Sequence, residues 1–152
     1  MADSDTADLI VLLLGLLAFP TIWLGTLWVA ARVSGWVELA KFYELKEPFR
    51  GDRCRCGTMY MYNGKLRSKY NGVMILRANE QGLYLRPTLL LRFGYPALFI
   101  PWTDITKKED DDFFFPAARL RIRQAPSISM KLHTRVIARL EEIKNSVIPE
   151  GR

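Results

Sequence analysis

The chain has 152 residues, 49% of them hydrophobic, and carries 22 Lys and Arg against 16 Asp and Glu, a net charge of +6. A single histidine restricts any Ser/His/Asp or Cys/His catalytic arrangement to His133. Two cysteines one residue apart leave no distant partner for a structural disulfide.

In chain order, residues 1–8 form an acidic tail with Asp3, Asp5 and Asp8. Residues 9–31 then run for 23 positions without a formal charge. As a helix this run reaches roughly 35 Å, enough to cross a hydrocarbon core of about 30 Å. A cleaved signal peptide is the competing reading. The tail lacks the Lys or Arg of a signal n-region, and the run is longer than an h-region of about 7–15 residues. A retained transmembrane anchor is therefore expected.

Basic residues set the orientation. Arg32, Lys41, Lys46, Arg50, Arg53 and Arg55 follow the span, and such residues are held on the cytoplasmic side. The expected localisation is a single-pass protein of the inner (plasma) membrane, with the N-terminus outside and the C-terminal domain cytoplasmic. Within the span, Pro20 stands between Gly15 and Gly25. Proline frees a backbone acceptor and small residues admit a second helix, so Gly15, Pro20, Trp23, Gly25 and Trp28 are candidate helix-docking residues. Trp28 and Trp36 also suit an interfacial belt. Gly, Pro and Trp are equally common in membrane helices with no docking role.

Residues 32–53 form a juxtamembrane unit. Ser34–Glu44 has helical spacing through Trp36, Leu39, Ala40 and Tyr43. It lies along the headgroups or packs on the following domain. Pro48 and Gly51 break it, leaving a linker over Leu45–Arg53.

From residue 54 to 148 a β-rich domain is expected. Thr58–Tyr62 stops at Asn63-Gly64, a hairpin signal, and Asn71-Gly72 opens Val73–Leu76. Leu83–Leu85, Leu89–Leu91 and Leu98–Ile100 follow as short apolar runs, broken at Pro87, Pro96 and Pro101. Asp110–Asp112 reads as an acidic loop tip. Leu120 and Ile122 alternate with Arg119, Arg121 and Arg123, giving one apolar and one cationic face. Ser129–Val147 closes the chain as an amphipathic helix, with Leu132, Val136, Leu140, Ile143 and Val147 on one side and Ser127 or Ser129 as cap. The expected core holds Leu83, Leu85, Phe99, Ile100, Trp102, Leu120, Val136 and Leu140. The fold class is α+β: a transmembrane helix, then a small antiparallel sandwich or partly open barrel closed by a C-terminal helix.

Six or seven short strands followed by one helix resemble a pleckstrin-homology (PH) or GRAM-type domain. Ser34–Ala40, Asn79–Leu85 and Leu98–Ile105 are similar to segments of uncharacterised small bacterial single-pass membrane proteins. The likeness covers about residues 34 to 145. It implies a glycine-led strand and an Ile-Pro-Trp-Xaa-Asp-Ile strand in the sheet core, and it brings no activity with it.

Little catalytic chemistry is present. There is no glycine-rich phosphate loop, and Cys54 and Cys56 fall short of a four-ligand metal set. No enzyme activity, metal or cofactor is expected. Lys65, Arg67, Lys69, Arg119, Arg121 and Arg123 form a candidate basic patch, for anionic lipid headgroups, for an acidic partner, or simply as a solvated positive surface. Nucleic acid is not expected as a partner, on the premise that the aromatics are committed to strands and core. Two functions remain. One is a non-catalytic accessory or scaffold subunit of an integral membrane protein complex, energy-transducing, respiratory or photosynthetic complexes being candidates. The other is a membrane-tethered PH/GRAM-like module that binds anionic headgroups of the lipid bilayer or an acidic cytoplasmic partner.

Overall fold

The structure, a computed structural model, describes residues 2–110 and 116–146. Helix α1 (Ala2–Val33) takes in both the acidic tail and the apolar run. The tail is therefore the helix's first turns, where Asp5 and Asp8 complement the positive end of the helix dipole. One N-terminal stretch, Asp5–Val33, is long and apolar enough to cross a membrane. Pro20 lies inside it. The Thr21 hydroxyl donates to the Leu17 carbonyl at 2.8 Å, close to where proline interrupts the ladder.

Gly35 ends α1. Its φ of 84° is open to glycine at little cost, and a Cβ there would stand 2.8 Å from the Ile128 side chain. The turn launches α2 (Trp36–Tyr43), which buries Trp36, Leu39 and Tyr43. Of the two placements open to this helix, it takes the one against the domain. Trp36 is fully buried, its Nε1 donates to the Pro96 carbonyl at 2.9 Å, and its ring packs on Tyr95 and Tyr70. The expected place of Trp36 in an interfacial belt is thus corrected: this indole is a core residue.

Among the described residues nine strands follow: β1 (Asp52–Cys54), β2 (Thr58–Asn63), β3 (Leu66–Asn71), β4 (Met74–Ala78), β5 (Gly82–Pro87), β6 (Leu98–Pro101), β7 (Ile105–Asp110), β8 (Ala117–Ile122) and β9 (Ile128–His133). They make two antiparallel sheets, a four-stranded β1-β4-β5-β6 and a five-stranded β3-β2-β9-β8-β7. Helix α3 (Thr134–Asn145) packs Ile137, Leu140 and Ile143 inward. Among the described residues the architecture is α+β with no closed barrel.

One continuous core joins the sheets. Met59, Met61, Leu120, Ile122, Met130 and Leu132 come from the five-stranded sheet, and Leu76, Leu83, Leu85, Leu98 and Ile100 from the other. Ala31 of α1 belongs to the same cluster. Of the expected core, Phe99, Trp102 and Val136 are only half-buried. The Trp102 indole donates to the Asn79 carbonyl at 2.8 Å and lies under Lys144.

Three local expectations change. Leu89–Leu91 is a single 3-10 turn, because only Leu91 and Arg92 find local acceptors there. Trp102–Asp104 is likewise a 3-10 turn that separates β6 from β7. Ser129–His133 is strand, not helix, and α3 begins five residues later than expected. Its cap is neither Ser127 nor Ser129 but the His133 ring, whose Nδ1 accepts from the Arg135 N–H at 3.2 Å. Asp110 ends β7; Asp111, Asp112 and Val147 lie outside the described residues.

Candidate functional site

The outer face of the five-stranded sheet carries the site. Side chains alternate along a strand, so the burial of Met59 and Met61 turns Tyr60 and Tyr62 outward. The strand register then lines up two rows across the sheet. One runs Lys69, Tyr60, Lys131, Arg119, Lys108. The next runs Arg67, Tyr62, Ser129, Arg121, Thr106. Six cations and two tyrosines thus share one face.

Cations lie over both rings. The Arg67 guanidinium is 5.4 Å and the Lys69 ammonium 5.9 Å from the Tyr60 centroid, and Arg119 lies 4.6 Å from that of Tyr62. Such stacking holds long side chains in place at about 0.5–1 kcal/mol each. A hollow of about 620 Å³ opens along this face, walled by Arg55, Arg67, Lys69, Lys131 and Arg135, with Tyr60 and Tyr62 among its lining residues. No Asp or Glu is among the described residues that line it. Guanidinium forks and phenol donors around one concavity suit a carboxylate or phosphate ligand.

The structure brings together four of the six residues expected as a basic patch: Arg67, Lys69, Arg119 and Arg121. Lys65 lies apart, exposed in the turn between β2 and β3. Arg123 falls beyond the end of β8, close enough to Tyr43 to favour its phenolate. The Tyr43 hydroxyl donates to Asp104 at 2.8 Å, and burial together with that bond pushes its pKa up to about 12. Sequence reasoning missed Lys108 and Lys131, since the strand carrying each was not recognised. Tyr60 and Tyr62 also depart from the premise used against nucleic acid, because they face outward.

On α1, Gly15, Pro20, Trp23, Gly25 and Trp28 are all exposed, and nothing lies within 4 Å of a Cβ built at Gly15 or Gly25. They do not share a stripe. At about 100° per residue, a spacing of five turns each about 140° from the last. Trp23 stacks with Phe19, and Arg32 sits 4.0 Å over the Trp28 ring.

Cys54 is buried and Cys56 half-buried. Burial, with neighbouring Cys54 as a smaller cause, raises the Cys56 thiol to about 11. Among the described residues, no three His, Cys, Asp or Glu side chains gather as a metal site. Compared with protein-family models, curated proteins and solved structures, the chain matches none of them.

Proposed function

We propose that this protein is a membrane-anchored, non-catalytic binding module, an accessory component of a larger membrane complex, whose β-domain grips an acidic segment of that complex on the cationic sheet face. In this reading α1 spans the bilayer, the β-domain stands on the cytoplasmic side by the bias of Arg32, Lys41 and Lys46, and its two sheets closed by one helix are of PH/GRAM type. The observation that carries the proposal is the hollow itself: five Lys and Arg side chains and two tyrosines around about 620 Å³.

An acidic protein segment suits this hollow better than a headgroup does. The Asn63 end of β2 adjoins α1, with the Asn63 side-chain amide donating to the Val33 carbonyl at 3.2 Å. The hollow follows β2 from Tyr62 past Thr58 to Arg55. From Gly57 to Tyr62 that is five residues and about 16 Å of strand, a length that suits an extended acidic segment of several residues better than a single headgroup.

The test uses the full chain in detergent micelles and a fluorescent Asp/Glu-rich peptide. Arg55, Arg67 and Lys69 are exposed, so reversing them to Glu leaves the core intact. Each peripheral charge contributes up to about 1 kcal/mol, so the triple variant is expected to weaken peptide binding about tenfold to a hundredfold. Added salt should weaken the parent in the same direction. Equal affinity of parent and variant overturns the proposal. Binding of short-chain phosphatidylglycerol in place of the peptide, with the same charge dependence, transfers the hollow to the lipid reading.

A further inference from the structure

The segment between β5 and β6 leans on the anchor. Gly94, at φ 82°, lies so close that a Cβ there would be 3.5 Å from the Trp28 Cα and 3.7 Å from the Ala31 Cβ. Tyr95 behind it is buried against Trp36. This contact covers one face of α1: Leu27 is 7% and Ala31 0% exposed, whereas the helix before Leu27 is bare along the described side chains. The same segment turns apolar side chains outward, with Leu89 77% and Phe93 65% exposed. Soluble surfaces rarely leave two large apolar side chains so open on one short turn without a partner for them.

The level of this contact along α1 identifies the partner. A helix needs about 20 residues to cross the hydrocarbon; counted from Leu9, that reaches Trp28. Gly94 touches α1 at Trp28 and Ala31, so the adjoining Phe93 stands where acyl chains give way to headgroups, with Leu89 on the same short turn. The charges agree. Arg92 is exposed within the same turn, and Arg32 lies on Trp28 at 4.0 Å. Next to Val33, where α1 ends, the β2–β3 turn also exposes Lys65 and Leu66.

We propose that the turn from Thr88 to Gly94 is a second membrane contact, which inserts Leu89 and Phe93 into the boundary region of the leaflet that α1 leaves, while Arg92 and Lys65 meet anionic headgroups. This inference rests on the reading that α1 spans the bilayer. Apolar side chains at an interface bury about 5–10 Å deep, and basic neighbours strengthen the hold on anionic lipid. The cationic hollow is left free for its own ligand.

The experiment reconstitutes the full chain into phosphatidylcholine–phosphatidylglycerol vesicles containing nitroxide-quencher lipids. Single variants Leu17→Cys, Leu89→Cys, Phe93→Cys and Glu80→Cys carry the same solvent-sensitive fluorophore. Labelled parent protein supplies the blank for Cys54 and Cys56. Glu80 is exposed in the β4–β5 turn, at the opposite end of β5 from Leu89. The expected result is a blue shift and loss of most emission at positions 17, 89 and 93, with position 80 unchanged. Shallow quenchers should act best at 89 and 93, and deep ones at 17. Quenching at 17 with positions 89 and 93 behaving like 80 overturns the second contact and leaves the span standing. An unquenched position 17 overturns the span and this inference with it.

Discussion

Cys56 shows what burial does to a single side chain. Its thiol ionises at about 11 in place of 9.0, burial being the larger cause. Since the thiolate is the nucleophile, native protein at pH 8 holds about a hundredfold less of it than an unfolded chain. Alkylation at pH 8 should be many-fold slower in native protein than in urea, and equal rates would refute the assignment. The sign for stability is also fixed. Above pH 9 the unfolded chain loses this proton while the folded chain keeps it, so stability falls as pH climbs from about 9 to about 11. Replacing Cys56 by Ser should make that decline shallower in denaturant titrations. The native thiols are accordingly poor reporters of membrane sidedness, and an exposed position such as Glu80 is the better one. Residue identity was readable from sequence mainly where chemistry and neighbours agree. Trp36 looked interfacial because a tryptophan beside an apolar run fits a belt; only the long-range contacts with Pro96, Tyr70 and Tyr95 make it core.

Among the elements, the junction of β9 with α3 carries the clearest test. The His133 ring accepts the Arg135 N–H and so satisfies one of the orphan donors at the start of α3. His133→Ala should cost about 1 kcal/mol, read as a shift of the denaturation midpoint, and His133→Asn should restore most of it. No loss in the alanine variant would remove the cap from the account. This junction was also the main misreading of the pattern. Leu132, Val136 and Leu140 fit a helical repeat, yet Ile128, Met130 and Leu132 fit a strand equally well. Pairing of β9 between β2 and β8 settles the matter, and pairing is not local. The Asn63-Gly64 and Asn71-Gly72 turns were readable because their glycines meet a positive φ, 58° and 66°. Strands β3 and β7 escaped notice for a physical reason. Both are sheet edges whose side chains are largely charged or polar, and edges stay polar to resist pairing with other chains. The cationic site was half visible for the same reason: β8 announced its arginines by alternation, while Lys108 and Lys131 became neighbours only through register.

For the molecule as a whole, the boundary between the long apolar helix and the domain is not where composition changes. Ala31, Trp36, Leu39 and Tyr43 are in the domain core although they precede the β-region. Losing a large buried side chain costs about 2–5 kcal/mol, and three such losses rival a typical stability of about 5–15 kcal/mol. A fragment starting at Leu27 should therefore melt cooperatively, and one starting at Arg53 should not. Equal melting temperatures for the two fragments would contradict the core described above. The shared core has a mechanical corollary. Held by Gly35, by the Ala31 packing and by the seat of Gly94 on Trp28, α1 and the β-domain are keyed together like a shaft and its splined hub. Torque on the shaft is delivered to the hub without slip. Any neighbour that turns α1 about its axis swings the cationic hollow through the same angle, about 100° for each residue of helical phase. The azimuth of the hollow about α1 is thus set by how that helix is rotated, and whatever grips the helix also aims the site.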